Sequence, residues 1–88
     1  MSMSDKSFTL QVVTVTDSLF DGHATELHAK GSDGQLVVLA HHEPFITRIE
    51  KCTLKIVPTT GESQEFPILS GVLEVADNKA VVLCSKGE

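Results

Sequence analysis

Four histidines are the residues of this 88-residue chain best suited to chemistry: His23, His28, His41 and His42. Imidazoles hold a metal only where several converge on one point. Their spacing works against that. On a strand, the adjacent pair His41 and His42 points to opposite faces, and the odd spacing of His23 and His28 separates them too. Only folding could bring them together, solvated surface histidines are the simpler reading, and no metal is expected. Nucleophilic chemistry has less to stand on. Ser70-Gly71 lacks a glycine two residues before the serine, so there is no GxSxG elbow. Cys52 and Cys84 have no sequence context suggesting thiol activation, and no CxxC or Cys/His spacing points to zinc. They read as reduced, partly buried strand residues. The Lys30-Gly31-Ser32-Asp33-Gly34 stretch is a Gly-bounded turn, not a phosphate loop, since neither GxxxxGKS/T nor GxGxxG occurs. Paired carboxylates such as Glu62 and Glu65 fit a solvated face. The residues therefore predict no catalytic site and no cofactor, but a binding or scaffolding domain.

The elements that carry these residues must be built from a modest supply of apolar side chains. Eighty-eight residues suffice for one domain, 41% of them hydrophobic and 22% charged. The only aromatics are Phe8, Phe20, Phe45 and Phe66, so the core must be mostly Val, Leu and Ile. The net charge is −5 with the histidines neutral, and the seven Lys and Arg are scattered along the chain. Nucleic-acid binders need a clustered basic surface to displace counterions, so no nucleic-acid partner is expected. Met1–Ser7 has no apolar run of signal-peptide length, and no stretch approaches the roughly 18–20 apolar residues of a membrane span. These features predict a cytoplasmic protein without direct membrane insertion, able to sit peripherally on a membrane complex.

The dominant periodicity is that of strands. Phe8, Leu10 and Val12 alternate with Thr9 and Gln11; Leu54 and Ile56 alternate with Thr53 and Lys55. His23–Ala29 alternates weakly, and Gln35–Leu39 is a short apolar run of buried-strand length. Glu65–Leu69, Gly71–Val75 and Lys79–Cys84 complete the series. β-Branched residues fill most of these runs and disfavour helix. Lys30–Gly34 reads as a loop, Pro58–Glu62 as a hairpin loop, and Asp77-Asn78 as a tight hairpin turn because both residues tolerate positive φ. Pro67 cannot donate to a ladder, so its strand is an edge or carries a bulge. Strands every 8–12 residues or so, without helical periodicity, predict an all-β sandwich or barrel.

In order along the chain, these residues resemble the epsilon subunit of F-type ATP synthases. Ser32-Asp33-Gly34-Gln35-Leu36, then Val38-Leu39, His42 and Pro44-Phe45-Ile46-Thr47 follow that family's signature G-S/E-x-G-E-L-G-V-L-P-G-H-A-P-F-x-T. Upstream, Leu10–Thr14 and Leu19-Phe20-Asp21-Gly22 resemble its opening strand and turn. Downstream, Leu54-Lys55-Ile56, Ser70–Val75, Asn78-Lys79 and Val81-Val82-Leu83 continue the match through about residues 8–84. The resemblance implies a flattened β-sandwich of about ten short, mostly antiparallel strands over residues 8–84. Residues 1–7 are then a disordered or tag-like start, and 85–88 a loose tail. The stop at Glu88 implies no C-terminal helical domain, hence no helix-mediated inhibition and no nucleotide site.

The resemblance also implies a function: a non-catalytic rotor subunit of the central stalk in a proton-translocating ATP synthase. Such a subunit binds the gamma subunit and rests on the polar loops of the c-ring, on the cytoplasmic face of the inner membrane. It couples ion flow to ATP synthesis. By position, the c-ring contact is Ser32, Asp33, Gly34, Gln35 and His42, and the gamma contact is Thr14, His42 and Thr47. The alternative is a stand-alone β-sandwich binding module that keeps the fold without the synthase role. Its motive is a set of departures: family glycines are replaced by Val37, His41, Cys52 and Val72, and Glu43 stands in place of an alanine. Glycine is normally retained where φ is positive or backbones approach closely. Either these turns are rebuilt or the docking is altered.

Overall fold

Alternating apolar and polar residues make strands throughout the computed structural model, which describes residues 6–87. Among them are seven strands: β1 (Phe8–Val13), β2 (Ser18–Gly31), β3 (Gly34–Val38), β4 (Phe45–Ile49), β5 (Cys52–Pro58), β6 (Gln64–Ala76) and β7 (Lys79–Lys86). The sandwich class is as expected, but the strands are fewer and longer than ten. The run at His23–Ala29 is the middle of 14-residue β2, and Glu65–Leu69 and Gly71–Val75 fuse into 13-residue β6. Strand β4 is one the sequence reading passed over. β3 is half-exposed rather than buried, with Val37 and the following Leu39 in solvent, because it pairs only with β2. The expected Lys30–Gly34 loop shrinks to a two-residue turn, Ser32-Asp33, flanked by the paired Gly31 and Gly34. Strand β7 continues through Ser85 to Lys86, and Ser7 is already buried. What was expected of residues 1–5 and of Glu88 lies outside the described residues.

The two long strands each serve both layers. β2 pairs with β1 over residues 18–24, then with β5 and β3 over residues 24–31. β6 pairs with β5 over residues 64–68, then with β4 and β7 toward its C-terminal end. β1 closes the ring, antiparallel to β2 on one edge and parallel to β7 on the other. The crossing in β6 needs local irregularity. A register shift lies between Ile68 and Ser70, just after Pro67, as a proline inside a strand run requires. Gly71 follows, and a Cβ there would stand 2.9 Å from the Leu83 carbonyl oxygen and 3.0 Å from Cys84 Cβ. The missing side chain lets β7 approach closely.

The core between the layers is aliphatic. Leu10 and Val12 from β1, Leu27 from β2, Leu54 and Ile56 from β5, Leu73 from β6 and Val82 from β7 are fully buried. The alternation read for β1 and β5 is the one observed, with Thr53 and Lys55 exposed. Ala24, Ala29 and Ala80 line the same core where the layers approach.

One turn ties three segments together. Asp77 and Asn78, with φ of 53° and 58°, form the tight β6–β7 hairpin turn in the twist-compatible left-handed conformation. The Asn78 side chain then works at both ends. Its Nδ2 donates to the Ser7 carbonyl at 2.9 Å, and its Oδ1 accepts from the His41 amide at 2.7 Å. Its own carbonyl accepts from the Thr9 amide at 3.2 Å. Replacing Asn78 with Ala removes two hydrogen bonds of about 1 kcal/mol each and strains a left-handed residue. We expect thermal unfolding of Asn78→Ala to drop by roughly 10–20 °C, as for a loss of about 2–3 kcal/mol in a domain of this size.

The two cysteines are free. Cys84 is buried, and burial pushes its thiol above the ordinary value, while Cys52 is half-exposed. The folded state therefore keeps a proton that the unfolded chain releases. That contribution to stability is complete below the ordinary thiol range, roughly pH 8.5, and is lost as pH rises through the raised value. Native-state alkylation at pH 8 should label Cys52 well before Cys84, as peptide mapping would show.

Candidate functional site

The residues singled out for the c-ring contact meet at one edge. The β2–β3 turn carries Ser32 and Asp33 into solvent, and Gly34 takes a φ of 119° that favours glycine. Ser32, Asp33, Gly34 and Gln35 line one wall of an open groove of about 330 Å³, with Phe45, Ile46 and Thr47 on the other. Gln35 and Asp33 are exposed, and Asp33 is the only formal charge among these four positions. Thr47 Oγ1 donates to the Arg48 carbonyl at 3.3 Å.

His42 sits on the β3–β4 loop rather than in the turn. Its ring packs on Phe45, centroids 4.7 Å apart, and Phe45 lines the groove. A carbonyl can only accept, so His42 Nδ1 donates to the Glu43 carbonyl at 2.8 Å. His42 itself does not line the groove; it touches Phe45, which does.

Thr14 is not part of that group. It lies in the β1–β2 turn, three strands across the sheet from β4. Its Oγ1 accepts from the Asp17 amide at 2.9 Å and the Thr16 amide at 3.3 Å. The hydroxyl is thus occupied in shaping the turn, the residue displayed is Val15, and the expected gamma set of Thr14, His42 and Thr47 is split between two places.

The replaced glycines answer differently. His41 has a φ of 61°, so a histidine occupies the left-handed conformation that glycine adopts freely. Val37 and Val72 stand on ordinary strand positions with their side chains exposed, and Cys52 opens β5. Among the described residues no three His, Cys, Asp or Glu side chains are close enough to hold a metal. Among the described residues the one close His–carboxylate contact is His28 Nε2 to Glu26 Oε1 at 2.7 Å, both partly exposed on β2.

Reading the sequence alone missed an open apolar face. Ile46, Val72 and Leu83, on the outer side of β4, β6 and β7, are 69%, 45% and 51% exposed, and neighbouring Val15 is 92% exposed. A signal was present. Ala80–Cys84 is apolar at every position, as in strands covered on both faces, whereas a strand with one wet face alternates. Ala80, Val82 and Cys84 face the core, leaving Val81 and Leu83 outward.

A sandwich with a polar turn at one edge and an uncovered apolar face is equipped for docking. Residues 7–88 match the family described as ATP synthase, Delta/Epsilon chain, beta-sandwich domain, and the chain belongs to that family. It is 31% identical over 83 residues to the ATP synthase epsilon chain of Clostridium novyi, spanning 94% of this chain and 63% of that protein. It is 31% identical to the ATP synthase epsilon chain of Chlorobium limicola, spanning 94% of both. In fold it matches a chain of the central stalk/c-ring structure of Tetrahymena thermophila mitochondrial ATP synthase. The TM-score is 0.77 and the identity 21%, over 89% of this chain and 63% of the other. A chain of the Euglena gracilis mitochondrial ATP synthase structure gives a TM-score of 0.84 at 16% identity, over 92% of this chain and 52% of that one. No helix among the described residues is long and apolar enough to cross a membrane.

The strained loop yields a direct test. His41 is exposed, and its amide bond to Asn78 does not depend on its side chain. Relieving the left-handed strain in His41→Gly should raise stability by about 0.5–1 kcal/mol, read as a melting temperature several degrees higher by circular dichroism.

Proposed function

We propose that this chain is a non-catalytic rotor subunit of an F-type ATP synthase. It binds the gamma subunit and rests on the c-ring's polar loops at the cytoplasmic face of the membrane, coupling ion flow to ATP synthesis. The observation that carries the reading is the uncovered apolar face of β4, β6 and β7. An apolar patch of this kind favours a lasting partner. Epsilon chains as relatives and central-stalk assemblies as structural neighbours name the kind of complex.

Two surfaces divide the work. The turn Ser32-Asp33-Gly34-Gln35 with His42 is the c-ring contact. Its exposed Asp33 complements basic polar loops and sets docking and salt dependence more than raw affinity. The resemblance assigns Thr47, in the groove beside that turn, and His42 to the gamma contact, and the Thr14 turn borders the apolar face by presenting Val15. The subunit acts by binding, with no bond made or broken and no cofactor or nucleotide held.

Calorimetry of the chain with the gamma subunit of the same genome tests this. Tight binding, weakened at least tenfold by Thr47→Arg, is the expected result. A folded domain that binds no gamma subunit at low salt would remove the rotor reading and leave a free-standing binding module.

A further inference from the structure

Strand β3 ends the sheet and pairs only with β2. The two-residue turn Ser32-Asp33 makes Gly31 and Gly34 a hydrogen-bonded pair, and alternation along the ladder then bonds Leu36 to Ala29 and Val38 to Leu27. Gln35 and Val37 therefore turn their N–H and C=O groups away from β2. No other strand takes them up, and no turn or loop bond among the described residues uses them. The free edge of β4 is served differently: the Arg48 carbonyl accepts from Thr47 Oγ1 at 3.3 Å, and Ile49 pairs with Gly31. Sheet edges are commonly blunted by charge, proline or a bulge. Gly34–Val38 has none of these, being uncharged and in unbroken register with β2.

The free groups are spaced to match themselves. We propose that β3 pairs antiparallel with β3 of a second copy about a twofold axis at Leu36, joining two sheets edge to edge. Gln35 of one copy then lies opposite Val37 of the other, and the reverse. All of these residues turn their backbone groups outward, so the two sites exchange four hydrogen bonds. The two Leu36 side chains, each half-buried in the single chain, meet across the axis with Cβ atoms about 4.5–5.5 Å apart. Charge permits the pairing. Each copy carries −5, but the seam is neutral: Asp33 falls opposite Leu39, and the two Asp33 stand roughly 20 Å apart along the strands. A foreign strand would find the same ladder; the self-matched spacing and the neutral seam favour a second copy. The strand pair is too short for a standard interface of about 1,200–2,000 Å², so the association is weak and concentration-dependent. It covers Gln35, so a paired chain cannot offer this turn to another partner.

Sedimentation equilibrium of the full chain, from roughly 10 µM to 1 mM, should show monomer and dimer in exchange. Val37→Lys should weaken the association at least tenfold, as charge on a strand edge does. Val37→Pro should abolish it, because the lost N–H points outward and no bond to β2 is removed. Val37 is exposed, and unchanged melting would show that the fold is intact. Leu83→Glu, on the apolar face, should leave the dimer constant unchanged. Amide exchange gives a second readout in the parent chain: the Gln35 and Val37 amides should slow as concentration rises, while that of Leu36, already bonded to Ala29, should not. A chain that stays monomeric at the highest concentration overturns the proposal. So does a dimer that keeps its strength in both Val37 variants, and one that Leu83→Glu dissociates would assign the contact to the apolar face. The pairing does not depend on the rotor reading, and neither gamma binding nor its failure bears on it.

Discussion

Two strands of this domain belong to both of its layers, and the remaining architecture follows from that. β2 and β6 each pair with one set of strands over one half and another set over the other half. Their inner rows therefore cannot be buried by one layer alone. Leu27 and Leu73 are buried only when β1 and β7 close the ring on one side and β5 on the other. A chain this short buries a modest share of its surface and has few aromatics to spend, so the closure must be nearly complete. The register shift after Pro67 and the bare Gly71 let β6 make the crossing.

Closing the ring fixes where the connections fall. The β6–β7 turn, the first residues of β1 and the β3–β4 loop come together at one end, clipped by Asn78. That contact explains how His41 tolerates a left-handed backbone: its amide is held from outside the loop, and the surrounding structure sets the conformation. The same closure sets β4 beside the β2–β3 turn, so that the groove between them joins residues from two parts of the chain.

An uncovered apolar surface is the cost of a sheet built from a two-sided apolar strand. β7 carries apolar residues toward the core and toward solvent alike, and nothing else in the described residues folds over its outer side. In a protein with layers packed on both faces of the sheet such a strand would be interior. Here it lies under a face that no described residue covers, as suits the subunit role proposed above.

The sequence by itself determined the strand class, the inward rows of β1 and β5, the Asp77-Asn78 turn and the irregularity around Pro67. Each follows from interactions between residues close in the chain: side-chain alternation, permitted φ, a missing donor. It also carried the family, through short motifs in order from Leu10 to Leu83. Tertiary structure decided the rest. Whether two runs fuse into β6, or whether β3 is buried, depends on how many neighbours a strand finds: β6 also gains β4 from far earlier in the chain, whereas β3 finds only β2. The separation of Thr14 from Thr47, and the meeting of Arg48 with Val72 and Leu83, depend on register across four strands. A one-residue slip would turn every one of those side chains to the opposite face, and only the packed core prevents that slip.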